Sequence, residues 1–157
     1  MRKRLIPPAP PTMPHVVWDW LDVDKIALVE VTSEDKTQPI ESALVGGENR
    51  GWRAAEPGPQ TIRLLFDKPQ RIKRIQLTFE ETETRRTQEF TLRWSRDGGQ
   101  SYREIVRQQW NFSPPGTVRE IEDYAVTLPD VTVLELNIVP DQIGREARAS
   151  LVHLRLG

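Results

Sequence analysis

Two charged stretches hold the residues best suited to grip a small polar molecule. "EETETRRTQ", Glu80 to Gln88, carries Glu83, Arg85 and Arg86, and "RQQWNFSPPG", Arg107 to Gly116, carries Trp110 and Asn111. An aromatic face with a few directed polar groups is what such a ligand needs. Each residue also has a plainer role open to it. Trp110 can pack beneath its own loop, because tryptophan buries a large area wherever it can. Arg85 and Arg86 can pair with neighbouring glutamates, an exposed contact worth only ~0–1 kcal/mol. Phe112 reads as a loop anchor. Asn111-Phe112-Ser113 spells a glycosylation sequon, which acquires meaning only on a secretory route.

Catalytic constellations are weaker. The carboxylates of Glu80-Glu81-Thr82-Glu83 and Glu120-Ile121-Glu122-Asp123 could flank a glycosidic bond, but Arg85, Arg86 and Arg119 are interleaved with them, so solvated loops account for both clusters. His153 alternates with Val152 and Leu154 and so points away from the face they bury. No serine elbow, paired histidine or H-E-x-x-H accompanies it, which makes it a structural histidine. Gly46-Gly47-Glu48-Asn49-Arg50-Gly51 has two glycines at phosphate-loop spacing, yet Trp52-Arg53 follows where a lysine and a hydroxyl residue are required. Trp52 is assigned to the core. The expectation is a chain that is not an enzyme and carries no cofactor.

The totals narrow the partners. With 22 basic and 23 acidic side chains the net charge is −1, so nothing global favours nucleic acid or an anionic membrane. There is no cysteine and only two histidines, His15 and His153, which removes disulfides and thiolates and leaves little for a transition metal. No run approaches the ~18 apolar residues of a membrane span. The basic start "MRKRLI" meets Pro7-Pro8 well short of the ~7–15 apolar residues of a secretory signal, so the expected compartment is the cytoplasm.

What positions the two stretches is a series of short alternating runs. Ile62-Leu64-Phe66, Ile75-Leu77-Phe79, Phe90-Leu92-Trp94, Leu134-Leu136-Ile138 and Val152-Leu154-Leu156 each place apolar residues at every second position, the period of a half-buried strand. Breakers separate them: Glu56-Pro57-Gly58-Pro59, Asp67-Lys68-Pro69, Asp97-Gly98-Gly99, Ser113-Pro114-Pro115-Gly116 and Pro129-Asp130. Asp-Gly is a strong hairpin signal because glycine accepts the positive φ of a tight turn, so "SRDGGQSY" joins a strand ending at Trp94 to one starting near Tyr102. The pattern predicts an all-β chain, an antiparallel sandwich or barrel. Asp19 to Lys25 is the best helix candidate and fits an extra strand equally well. Residues 1–14, with Pro7, Pro8, Pro10, Pro11 and Pro14, form a proline-rich tail biased toward extended conformation, and residues 15–157 the domain. Trp18 and Trp20 share one face if their segment is extended and would cap the sandwich.

Five blocks in order then resemble the discoidin, or coagulation factor type C, family. "EFTLRWSRDGGQSYREI" is similar to that family's hairpin segment, with Tyr102 where tryptophan is usual. "ESALVGGENRGW" places Ala43, Leu44, Gly47 and Trp52 in matching positions. "QTIRLLFDKPQRIKRIQLTF", "VTVLELNIVP" and the closing "ASLVHLRLG" match the later blocks. The resemblance implies a galactose-binding-like jelly roll and a non-catalytic carbohydrate-binding module. Its sugar would sit at loops on one rim, contacted by Trp110, Asn111, Arg85, Arg86 and Glu83. The same fold also serves as a protein–protein adaptor in intracellular complexes, which the absence of a signal and the proline-rich tail suit. Many relatives hold a structural calcium near the first and last blocks. Here Gly46 replaces a common aspartate, Gly51 a hydroxyl residue and His153 a glutamate, leaving Glu48 and carbonyls; calcium wants several hard oxygens, so no metal is expected.

Overall fold

The alternating runs fold as strands. The structure, a computed structural model, describes residues 1–5, 19–45, 51–144 and 146–157. In chain order these form α1 (Val23–Ile26), β1 (Ala27–Val31), α2 (Glu41–Leu44), β2 (Trp52–Arg53), β3 (Gln60–Glu80), β4 (Arg86–Ser95), β5 (Arg103–Phe112), β6 (Arg119–Val139), β7 (Ser150–Leu151) and β8 (His153–Leu156). Every pairing between these strands is antiparallel. The segment open to either helix or strand becomes a single helical turn, α1. No helix among the described residues is long and apolar enough to cross a membrane. Trp18, His15 and most of the proline-rich tail lie outside the described residues; Trp20 packs under the guanidinium of Arg74, 5.4 Å from its ring centroid.

Two strands do the work of four. β3 and β6 run side by side through both layers of a sandwich, and their pairing register shifts between Leu65 and Arg74. Asp67-Lys68-Pro69 and Pro129-Asp130, expected to separate strands, are bends inside continuous ones. Pro129 can donate no ladder bond and Asp130 takes φ 53°, so the ladder is interrupted and the strand turns without ending. The first half of β3 lies with β1, the second half of β6, β4 and β5 in one layer; the second half of β3 lies between the first half of β6 and β8 in the other.

Between the layers lies the core. Ile62, Leu64, Phe90, Leu92, Leu134 and Leu136 point inward from one side, and Ile75, Leu77, Phe79, Leu154 and Leu156 from the other, all fully buried. Phe79 meets Phe90 across the interface at 5.2 Å between ring centroids. Each such side chain contributes roughly 1.5–3 kcal/mol through area removed from water. Trp52 is fully buried as expected, its indole N–H donating to the Ser33 carbonyl at 3.0 Å. On the outer face of the first layer Glu135 is also buried, held between Arg63 and Arg93. Arg93 lies 4.4 Å from the Tyr102 ring centroid, so the tyrosine that replaces the family's tryptophan stacks on a guanidinium.

The hairpin "SRDGGQSY" closes β4 onto β5. Gly98 and Gly99 take φ 73° and 94°, values open to glycine. Asp97 organises the turn: its carboxylate accepts from the Ser101 hydroxyl at 2.5 Å, the Ser95 hydroxyl at 2.6 Å and the Ser101 amide at 2.9 Å. These bonds, those of Ser101 foremost, depress its pKa to about 2. A depressed carboxylate stabilises the fold above its unfolded value and stops doing so as pH falls through the folded one. Asp97→Asn is therefore expected to lower the melting temperature at neutral pH and to remove the part of the acid destabilisation that falls between 3.8 and about 2. Thermal melts across that range read it directly.

Candidate functional site

Because β4 pairs antiparallel with both β5 and β6, the start of β4, the end of β5 and the end of β6 meet at one rim. The loops there enclose a concavity of about 390 Å³. The β3–β4 loop and β4 supply Arg85, Arg86 and Thr87; the end of β5 supplies Asn111 and Phe112; Ser113, Asp141 and Ile143 come from the loops that follow β5 and β6.

Local bonding holds these groups in place. The Thr87 hydroxyl donates to Asn111 Oδ1 at 2.8 Å, which engages the amide oxygen and leaves the NH2 as what Asn111 offers a ligand. The loop after β6 is pinned by Gln142, whose amide N–H donates to the Thr87 carbonyl at 2.9 Å and whose side chain bonds Glu89 and Gln109. That anchorage sets Asp141, which is buried, beside Ile143, which is 72% exposed. Asp141 Oδ1 accepts the Ile143 amide at 3.2 Å.

Arg86 supports the concavity from below. Its side chain is fully buried, with Nε donating to Glu81 at 2.7 Å and Nη1 to Gln88 at 3.0 Å and to the Pro140 carbonyl at 2.8 Å. The guanidinium lies 4.8 Å from the Phe112 ring centroid. Glu81 carries this arrangement, because it also accepts the backbone amides of Glu83 and Thr84 and so shapes the loop that presents Arg85. Burial pushes the Glu81 carboxyl up, but the Arg86 bond and the two amides together hold it below its ordinary value.

The five residues singled out in the sequence are thus divided. Arg85, Arg86 and Asn111 come together at the rim. Glu83 faces a separate depression of about 150 Å³ with Arg53 and Arg148. Trp110 is neither in a loop nor among the residues lining the rim concavity: Arg107 to Phe112 belong to β5, and Trp110 is half-buried against the core, opposite Gln88 on β4. The long loop expected from Arg107 to Gly116 shrinks because Gln108, Trp110 and Phe112 alternate inward, a strand pattern that the polar residues between them obscured. Phe112 is the anchor it was expected to be, fully buried. Thr87, Ser113, Asp141 and Ile143 were not singled out; only strand pairing brings their loops together.

The solvated-loop expectation for Glu120 to Asp123 is also corrected. This segment is strand, and Glu120 is fully buried while Ile121 is 60% exposed. Burial, followed by the bond to Glu122 and its charge, raises the Glu120 pKa to about 8.

Residues 29–146 match the F5/8 type C domain family. The chain belongs to that family. No curated protein matches it in sequence, but solved structures share its fold. CpGH89CBM32-5 from Clostridium perfringens, solved with GalNAc-β-1,3-galactose, is 19% identical with a TM-score of 0.64 over 88% of this chain and 99% of its own. The family 32 carbohydrate-binding module of C. perfringens NanJ, solved with galactose, gives 18% and 0.59 over 87% and 96%. A pectin-binding carbohydrate-binding module gives 18% and 0.62 over 84% and 90%. At these identities the likeness establishes the galactose-binding-like jelly roll.

The calcium that the F5/8 type C family implies finds a poor donor set here. Glu48 lies outside the described residues, and His153 supplies an imidazole where the ion wants oxygen. Burial first, then the charges of Arg155 and Arg119, lowers the pKa of that imidazole. Among the described residues no three His, Cys, Asp or Glu side chains converge as metal ligands.

Proposed function

We propose that this F5/8 type C domain is a non-catalytic carbohydrate-binding module that takes one sugar unit in the rim concavity. The observation that carries this reading is the concavity itself, about 390 Å³, which falls within the roughly 300–1,000 Å³ range of small-molecule sites. It sets directed polar groups against a small apolar surface. Arg85 and the Asn111 NH2 are donors for sugar hydroxyls, Asp141 and Ser113 supply oxygens, and Ile143 offers an apolar face to the ring's C–H side. The fixed Thr87–Asn111 bond and the Gln142 anchor prepare the groups before a ligand arrives, which lowers the cost of ordering them on binding. The structural neighbours solved with galactose-containing ligands support the class of ligand.

Titration with galactose, GalNAc-β-1,3-galactose and galacturonate, followed by NMR, tests the reading. Saturable shifts are expected in the backbone amides of Arg85, Asn111 and Ile143. Arg85→Ala and Asn111→Ala are each expected to weaken binding about tenfold or more, a loss of about 1.4 kcal/mol, with the melting temperature little changed. A flat response to all three sugars and to a broad glycan array overturns it.

A further inference from the structure

Three buried side chains join the rim to the interior. Arg86, which lines the rim concavity, donates from Nη1 to Gln88 Oε1 at 3.0 Å, and Gln88 Nε2 donates in turn to Glu120 Oε1 at 3.3 Å. All three are buried, Gln88 and Glu120 fully. The chain of bonds crosses the sandwich, from the start of β4 in one layer to the start of β6 in the other. Hydrogen bonds in such a chain polarise one another, and a low-dielectric interior strengthens their electrostatics. A change of charge at Glu120 is therefore felt at Arg86.

Each end of the chain also holds an unused atom. Arg86 Nη2 and Glu120 Oε2 are buried and make no hydrogen bond, a costly condition for a polar group. At the carboxyl end a proton meets the need. Glu122 lies two residues along on the same inward side of β6, paired across from Leu77 as Glu120 is from Phe79, and burial first, then Glu122, raises the Glu120 pKa to about 8. Once that proton leaves, Glu120 is a buried carboxylate with Gln88 as its one donor. Two unengaged N–H groups adjoin Gln88: Arg86 Nη2, and the indole of Trp110 across the β4–β5 ladder. The guanidinium carries charge, and a charge-assisted bond is roughly twice as strong as a neutral one, so the carboxylate draws Arg86.

We propose, building on the rim as the sugar site, that the proton on Glu120 gates it: with this carboxyl neutral Arg86 stays beneath the concavity, and with it ionised Arg86 is drawn inward through Gln88 and sugar affinity falls. Arg86 reaches the rim in two ways. It lines the concavity itself, and its Nε holds Glu81, which accepts the amides of Glu83 and Thr84 and so shapes the turn that presents Arg85. The charged groups facing Glu120 come from three places. Glu122 of its own strand favours the proton, Arg86 of β4 favours its loss, and Glu81 of the β3–β4 loop offsets Arg86. Tyr124, whose hydroxyl donates to Glu122 at 3.2 Å, is pushed up by burial and keeps its proton. Phe79 and Leu77 of β3, Gln88 of β4 and Trp110 of β5 do not titrate. The coupling is reciprocal, so a bound sugar that keeps Arg86 at the rim raises the pH at which Glu120 ionises.

Galactose titrations at about pH 6 and about pH 9, read on the Asn111 side-chain amide, measure the gate, since these values bracket the ionisation. The wild type is expected to bind about tenfold more weakly at the higher pH. Saturating galactose is expected to raise the midpoint of the Glu120 titration by about one pH unit, the same factor seen from the other side. Without sugar, the Arg86 Nε–H resonance is expected to titrate near pH 8. Glu120→Gln should abolish both dependences while keeping the affinity of the wild type at the lower pH, and Glu122→Gln should move the midpoint down. An absence of binding at either pH overturns the sugar site and the gate with it. Equal affinity at the two pH values leaves the sugar site standing and overturns the gate alone. A pH-dependent affinity that persists in Glu120→Gln, or an ionisation that moves the Trp110 indole and not the Arg86 Nε–H, overturns the gate as well.

Discussion

Glu120→Gln is expected to make the protein more stable above neutral pH and to flatten the wild type's loss of stability between pH 4.5 and about 8. Glu120 is fully buried, its pKa raised first by burial and then by Glu122. For a carboxyl raised in the folded state, the contribution to stability is complete below the unfolded value and is lost as pH rises through the folded one. Across that window the unfolded chain has released the proton and the folded chain retains it, so the wild type loses about 1.4 kcal/mol per pH unit from this group. The loss accumulates across the window and is complete once the folded chain releases the proton, near pH 8.

Glutamine keeps the shape and the bond to Gln88 and never ionises. The depressed carboxylates Glu81, Asp123 and Glu135 act below this window. His153, lowered by burial, acts with the opposite sign in wild type and variant alike, so it cancels in the difference. Chemical denaturation at about pH 5, 7 and 9 measures that difference; equal slopes for the two proteins would remove the buried carboxyl from the account.

Glu81→Ala is expected to cost about 3 kcal/mol and to abolish the sugar binding proposed for the rim in the same step. Glu81 is the ionic partner of Arg86, whose side chain is fully buried. Removing one member of a buried pair leaves a charge with no way back to water. The same substitution releases the amides of Glu83 and Thr84, so the turn that presents Arg85 loses its anchor. Pairing the change with Arg86→Met is expected to recover part of the stability, since a flexible apolar chain can fill the space without a charge. It should not recover sugar affinity. Urea denaturation with galactose titration of the single and double variants tests both statements; a single variant as stable as wild type contradicts the assignment.

Much of the fold was legible in the chain itself. The alternation at Ile62-Leu64, Ile75-Leu77, Phe90-Leu92, Leu134-Leu136 and Leu154-Leu156 sorted inward from outward residues, because strand side chains alternate with a period of two. Asp97-Gly98-Gly99 announced its hairpin for an equally local reason, the positive φ that glycine accepts. Arg85 and Asn111 were singled out as polar groups in two stretches expected to be loops, and strand pairing brings both to one rim. The amino-acid order alone therefore determined the alternating strand segments and their faces, the tight turn and the family resemblance, but not the second half of β5 or the continuity of β3 and β6.

Tertiary structure decided what depends on distant pairing. Pro69 and Pro129 read as chain breaks, and only the long β3–β6 ladder keeps the strands continuous through them. Glu120 to Asp123 reads as water-facing because charge normally stays solvated, yet the register with the apolar set of β3 buries Glu120 and half-buries Glu122, leaving Asp123 outside. Trp110 reads as a loop tryptophan until Gln88 is placed opposite it, and Asp141 joins Asn111 only because β5 and β6 flank the same strand. Periodicity is encoded over a few residues, whereas the company a side chain keeps is set by partners tens of residues away, and that second kind of information exists only once the layers close.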